Sequence, residues 1–207
     1  KADNTKSAEM MCNNALMALS TTRGYYDSMI VEYDDSIRKK FSREQIIMDN
    51  APTALKHQQF KVYYQPKFNI TTDKVCGAEA LVRWIHPEMG FMSPADFIPV
   101  FEHNGFIQEL DRYMVHSVCH QMRKWIDEGL SVVPISINVS QANFDVRNLA
   151  DQFEKIVDSY DISHDLIHFE ITESIDSADA ERKRSTVDQL REKGFMIELD
   201  DFGSGYS

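Results

Sequence analysis

Positive charge is scarce in this chain: 22 Lys and Arg stand against 33 Asp and Glu, a formal balance of −11. Such a chain repels polyanions, so duplex nucleic acid is not expected as a partner. An anionic small molecule stays open, provided metal ions neutralise a local group of carboxylates. Long apolar runs are also missing, and nothing approaches the roughly 18 residues of a membrane span. The polar start Lys1-Ala2-Asp3-Asn4-Thr5-Lys6 lacks the apolar stretch of a signal peptide. With no Met at its start, the chain is expected to be a piece of a longer one. Cysteine is limited to Cys12, Cys76 and Cys119. Odd in number and far apart, they exclude a disulfide scaffold, offer no zinc spacing and fit the reduced thiols of a cytoplasm. What remains is ordinary globular composition: 207 residues, 43% hydrophobic and 27% charged, enough for one large domain or one domain plus a piece.

The pattern along the chain divides near residue 42. Lys6 to Leu19 reads as a short helix closed by the Thr21-Thr22-Arg23-Gly24 turn, and Met29–Tyr33 as a strand-like run. Ser42 with Gln45 has capping-box spacing for a connecting helix, and Pro52 suits the opening of a further helical turn. Residues 1–41 are read as the tail of a preceding domain, 42–59 as connector and 60–207 as the main domain. There Phe60–Gln65 alternates like a strand that Pro66 ends, and Val75–Arg83 is a second strand. Ser93-Pro94-Ala95-Asp96 opens a helix over 94–104. Leu110, Met114, Val118, Met122 and Trp125 trace one face of a longer helix ending at Gly129. Strands at 132–139, 167–171 and 196–200 alternate with helices at 149–160 and 178–193. That order argues a parallel sheet with right-handed crossovers, which an open doubly wound sheet and a TIM-type barrel both satisfy.

Polar residues at the strand ends carry more information than the periodicity. Glu79 lies within the second strand, Asn138 ends the third, Glu170 the fourth, and Asp200-Asp201 the fifth. Buried carboxylates cost several kcal/mol unless paired or metal-bound, and in a barrel these ends converge on the catalytic face. Any one acid is most simply a helix cap or an Arg partner; the whole series is not. Several carboxylates and an amide without Cys or His form a hard oxygen site suited to Mg²⁺ or Mn²⁺. Two such ions serve phosphodiester cleavage.

These residues resemble the EAL domain family, the cyclic di-GMP phosphodiesterases. The resemblance rests on Tyr64-Gln65-Pro66, Glu79-Ala80-Leu81 with Arg83-Trp84, His86-Pro87, and Ser93-Pro94 with Phe97-Ile98-Pro99. It continues through Asn138-Val139-Ser140, Glu170-Ile171-Thr172-Glu173 and Asp200-Asp201-Phe202-Gly203-Ser204-Gly205-Tyr206-Ser207, and covers residues 45–207. It implies an α/β fold, a modified TIM-type (β/α)8 barrel with about its first five strands in this sequence, preceded by the tail of a GGDEF-like domain. It also implies a parent that hydrolyses cyclic di-GMP to the linear dinucleotide pGpG with two Mg²⁺ or Mn²⁺ ions, in cytoplasmic bacterial signalling and as a homodimer.

By the same resemblance Glu79, Asn138, Glu170 and Asp200 ligate the first metal and Asp201 helps hold the second. Arg83, with Leu81 beside it, contacts the phosphate; Gln65 lies near the site; Glu173 anchors the loop that begins at Asp201. Lys67 stands where a small aliphatic residue is common, with no consequence expected for a ligand. The family's barrel runs on for three more strands carrying a Lys and a Glu near the attacking water, so the 207-residue piece is expected to be inactive and to self-associate. The alternatives are a catalytically silent EAL-like receptor or interaction module and, more remotely, a two-carboxylate glycosidase. Filled ligand positions favour the enzyme over the receptor; the Asp200-Asp201 pair with Asn138 favours metals over the glycosidase.

Other signals have plainer readings. His116 and His120, spaced i and i+4, fall opposite the apolar stripe and belong to an outer face. His164 and His168 have no acid at a fixed spacing. Arg182-Lys183-Arg184 is a solvated helix face, Gly203-Ser204-Gly205 a mobile turn rather than a P-loop, and the ten methionines core filler.

Overall fold

In the computed structural model of the chain, residues 7–20, 30–172 and 180–200 are described. Contacts divide the chain into units 1–50 and 51–207, taken separately below. The turn at 21–24, Met29, Glu173, Asp201 and the Gly203–Gly205 segment lie outside the described residues.

Helix α1 (Ala8–Ser20) starts where Met10 N donates to Ser7 Oγ at 3.2 Å. Residues 30–33 carry no regular structure, so the strand expected there is absent over its described part. Helix α2 (Asp35–Lys56) begins well upstream of Ser42. Asp34 is the reason: its Oδ1 accepts from the backbone N of Ser36 at 2.8 Å and of Ile37 at 3.0 Å, as an N-cap should. The Ser36 hydroxyl and these amides hold the Asp34 carboxyl below its ordinary range. Pro52 sits inside α2 rather than opening a new turn.

The second unit runs β1 (Phe60–Asn69), β2 (Lys74–His86), β3 (Gly90–Met92), α3 (Pro94–Asn104), α4 (Ile107–Asp127), β4 (Ile135–Asn138), α5 (Leu149–Ser159), β5 (Ile167–Thr172), α6 (Ala180–Glu192) and β6 (Met196–Asp200). The sheet order is β1-β2-β4-β5-β6, with β3 paired to β2. Strands β2, β4, β5 and β6 are parallel, each added on the same side of the last. That progression belongs to a barrel; a doubly wound sheet reverses direction at its switch point. The fold is α/β, a partial TIM-barrel-like sheet.

Several details differ from expectation. The first two strands form an antiparallel hairpin, and β3 adds a sixth strand. Pro66 does not end β1, because among the described residues β1 pairs only with β2 and its other edge needs no donor there. The β2–β3 hairpin closes on His86, whose Nδ1 accepts from the backbone N of Glu88 and Met89, both at 3.1 Å. Ser93 precedes α3 as expected, but its side chain makes no cap hydrogen bond.

The core lies between the outer face of the sheet and the helices. Val115, Val118, Cys119 and Met122 of α4 and Phe153 of α5 bury against Ile135, Ile137, Ile167 and Phe169. Fully burying side chains of this size stabilises by about 1.5–3 kcal/mol each. Burial also pushes the Cys119 thiol up to about 12, and all three cysteines are free. A second cluster stacks Phe60 and Trp84 on Phe97 and Phe101 of α3. Met92, Met114 and Met122 are core, but Met10, Met48, Met89 and Met196 are exposed, which corrects the core-filler reading for those four. Among the described residues no helix is long and apolar enough to cross a membrane.

Candidate active site

Strand alternation sorts the sheet into an apolar outer face and a polar inner one. Residues paired directly across strands share a face, so Gln65, Glu79, Ser136 and His168 form one row, and Asn138, Glu170 and Glu198 another. Asp200, opposite Thr172, continues the inner face at the end of β6. The outer neighbours Ala80, Ile137 and Phe169 are buried against the helices. Four of the five expected metal ligands thus lie on one face of the sheet; Asp201 falls outside the described residues.

Asn138 Nδ2 donates to Glu79 Oε1 at 2.8 Å, tying β4 to β2. Oε2 of Glu170 is buried without a hydrogen-bond partner; the closest cation, Lys67 Nζ, stands 3.8 Å away. Burial raises the Glu170 carboxyl above its ordinary range, Lys67 opposes this, and the negative charges of Glu79, Glu198 and Asp200 add to it. A buried carboxylate oxygen with no donor, facing further acids, calls for a cation. Among the described residues no three Asp, Glu, His or Cys side chains converge closely enough to enclose an ion by themselves. The donors nevertheless fit a hard divalent ion: Glu79, Glu170 and Asp200 supply carboxylate oxygens, and the Asn138 side chain an amide oxygen.

The expected substrate residues meet the same cleft. A cavity of about 280 Å³ is lined by Leu81, Arg83, Asn138, Glu170 and Thr172, together with the outer-face residues Ala80 and Val82 and with Glu102, Leu110 and Met114 of α3 and α4. Arg83 is held by its own strand, Nη1 donating to Val82 O at 2.8 Å, and its guanidinium lies 5.9 Å from the centre of the Tyr63 ring. Gln65 pairs with Glu79 in register but does not line the cavity. Glu173 falls outside the described residues.

Five inner-face or supporting residues carry interactions that spacing did not reveal. Lys67, expected to be inconsequential, sends Nζ to Glu198 Oε2 at 2.7 Å and Ser136 Oγ at 2.8 Å. The Ser136 hydroxyl donates to the same Glu198 oxygen at 2.8 Å, and His168 Nδ1 lies 2.6 Å from Glu198 Oε1. Burial works against the Glu198 charge, but these partners outweigh it and hold the carboxyl down at about 2. Burial likewise works against the Lys67 ammonium, and Glu198, Glu170 and Glu79 together raise it. Asp111 of α4 accepts from Ser140 N at 2.9 Å and Asn143 Nδ2 at 2.5 Å, fastening the loop after Asn138. The period of two that places Glu198 beside Asp200 and Lys67 beside Gln65 was visible in the sequence; their meeting depends on register.

Both histidines without an acid at fixed spacing have one in space: His168 meets Glu198, and His164 Nε2 lies 2.8 Å from Asp158 Oδ1. His116 and His120 are exposed as expected, each edge-on to the Tyr160 ring. Arg182 and Arg184 are exposed, while Lys183 reaches inward to donate to Gln141 Oε1 at 2.9 Å.

Fold and site together define a barrel-type α/β domain whose acid-bearing inner face opens on an arginine-lined cleft. The chain belongs to the EAL domain family, whose model matches residues 48–207. It is 30% identical over 175 residues to the bifunctional diguanylate cyclase/cyclic di-GMP phosphodiesterase MucR of Pseudomonas aeruginosa, covering 84% of this chain and 26% of the relative. It is 34% identical over 148 residues to a cyclic di-GMP phosphodiesterase of the same organism, covering 72% and 25%. The solved phosphodiesterase of MucR in complex with c-di-GMP superposes with a TM-score of 0.72 at 32% identity, covering 78% of this chain and 66% of that one. The chain thus spans about a quarter of the length of these curated relatives.

Proposed function

We propose that the protein containing this chain is a metal-dependent phosphodiesterase that hydrolyses cyclic di-GMP to linear pGpG. The observation that carries this reading is the shared cleft: Leu81 and Arg83 line the same cavity as Asn138 and Glu170, whose Oε2 is buried without a donor. A phosphodiester held there has its negative charge against Arg83. The named relatives, a phosphodiesterase and one solved with c-di-GMP, support the substrate class.

In this reading Glu79, Asn138, Glu170 and Asp200 hold the first of two Mg²⁺ or Mn²⁺ ions, and Asp201 helps hold the second. When bound, the ions activate water and stabilise the leaving oxygen. Arg83 and Leu81 orient the phosphodiester, and Gln65, opposite Glu79, backs the site. Asn138 fixes Glu79 across the β2–β4 boundary, and Asp111 fixes the loop that follows Asn138. Glu173 anchors the loop from Asp201. We assign residues 1–41 to the tail of a GGDEF-like domain, 42–59 to a connector helix and 60–207 to the EAL barrel. The whole protein acts as a cytoplasmic homodimer.

The test is turnover by the purified full-length protein with Mg²⁺ or Mn²⁺, with products separated by chromatography. Cleavage to pGpG that stops on chelation by EDTA is expected. Undiminished turnover after thorough chelation, or tight binding of cyclic di-GMP without any cleavage, overturns the reading; the second result assigns a receptor.

A further inference from the structure

The inner face of the sheet gathers Glu79, Glu170, Glu198 and Asp200, and one ammonium, Lys67, reaches into them from the neighbouring edge strand. That ammonium has two possible acid partners. It takes Glu198, at 2.7 Å, and stops 3.8 Å from the donorless Oε2 of Glu170. The choice is enforced from several sides. Ser136 accepts from Lys67 Nζ and donates to the same Glu198 oxygen, closing a three-membered polar ring. His168 occupies the other Glu198 oxygen and fixes that carboxylate in place.

We propose that Glu198 is a positioning residue that holds the Lys67 ammonium, keeping its 3.8 Å ion pair with Glu170 from closing to hydrogen-bond contact and so leaving Glu170 Oε2 available to a divalent cation. The inference rests on the reading of Glu170 as a metal ligand. Without the Glu198 charge, Lys67 Nζ keeps the Ser136 hydroxyl and the attraction of Glu170 and Glu79, and a flexible lysine stem closes the remaining gap to Glu170 Oε2. An ammonium at contact distance occupies the same negative oxygen a divalent ion needs, so it acts as an intramolecular competitor. His168 and Ser136 act through Glu198 and need not touch the ion. Neutralising Glu198 therefore does more than remove one negative charge, because it also releases a positive one onto the ligand.

The experiment is a double-mutant cycle on the full-length protein, reading Mn²⁺ affinity from the electron paramagnetic resonance of free Mn²⁺. Glu198→Gln should weaken Mn²⁺ binding about tenfold, the scale of one unit charge brought to contact in a partly solvated site. In a Lys67→Met background the same substitution should weaken binding markedly less, since the competitor is gone and only the loss of one charge remains. Equal weakening in both backgrounds overturns the proposal, for Glu198 then acts by its charge alone; no weakening in either background overturns it as well. Should Glu198→Gln fail to fold by circular dichroism, His168→Leu, which frees the other Glu198 oxygen, carries the cycle: weaker Mn²⁺ binding that Lys67→Met cancels supports the proposal, and no weakening, or equal weakening in both backgrounds, overturns it. Glu170→Gln separates the two levels. If it binds Mn²⁺ as well as the unaltered protein, or the unaltered protein binds none, the metal reading of the site falls and this inference with it.

Discussion

Asn138 and Glu79 stand on neighbouring parallel strands, yet they are not register partners: Glu79 lies opposite Ser136. The Asn138 amide reaches back diagonally to donate to Glu79 Oε1 at 2.8 Å. The two residues are 59 positions apart in sequence, and this bond joins the acid of one strand to the amide of the next. It also turns Glu79 toward the row that holds Glu170, so the acids share one patch of the inner face.

Glu79→Gln retains an oxygen that accepts from Asn138, so the fold should survive, with an unfolding midpoint close to that of the unaltered protein. Turnover of cyclic di-GMP by the full-length variant should drop by about 100-fold or more, because in the proposed mechanism Glu79 binds the metal through its charge. Asp200→Asn should behave alike. Near-normal turnover by a folded variant removes that residue from the ligand set.

Asp111 is buried and its carboxyl is raised to about 7 from an ordinary 3.8. Burial is the main cause, Glu102 adds to it, and the Ser140 amide and Arg112 oppose it. The folded protein therefore holds a proton that the unfolded chain releases at lower pH. Its contribution to stability is complete below the unfolded value and disappears as pH rises through about 7. The stability difference between the unaltered protein and Asp111→Asn, measured by urea unfolding, should move against the unaltered protein between pH 4 and pH 7. A flat difference shows that Asp111 is ionised in the fold throughout.

His164 shifts in the same direction for a different reason. Burial works against its charge, but Lys193 O, at 2.5 Å from Nδ1, and Asp158 raise it above an ordinary 6.5. The ring also stacks on Phe195, just after α6. Its stabilisation is complete below the unfolded value and is lost as pH rises through the raised folded one. His164→Gln should destabilise by about 1 kcal/mol at pH 6 and by less at pH 8.5. Equal loss at both values assigns its role to stacking alone.

Phe101 is fully buried, between Phe60, Trp84, Phe97 and Phe106. Truncation to Ala should cost about 3–5 kcal/mol in chemical denaturation, combining lost burial with a cavity between α3 and the start of β1. A loss under about 1 kcal/mol indicates that the cluster collapses to fill the space.

What the sequence determined by itself was local or periodic. The Ser93-Pro94 start bounded α3, the apolar stripe of α4 marked its buried face, and strand alternation put Glu170 on the face opposite Phe169. The motif series from Gln65 to Asp200 assigned the family, because each motif is short and chemically distinctive. Helix α2 was misplaced because two capping signals competed, and Asp34, which accepts two backbone N–H groups, won over Ser42. The tertiary structure decided what depends on register: the antiparallel entry of β1, the meeting of Lys67 with Glu198 across 131 residues, and Asp111 under the loop after Asn138. Period two states which face a residue occupies, but not which residue of another strand lies beside it. An ammonium or carboxylate acts over a few ångströms, so its consequences become fixed only when the sheet has chosen its neighbours.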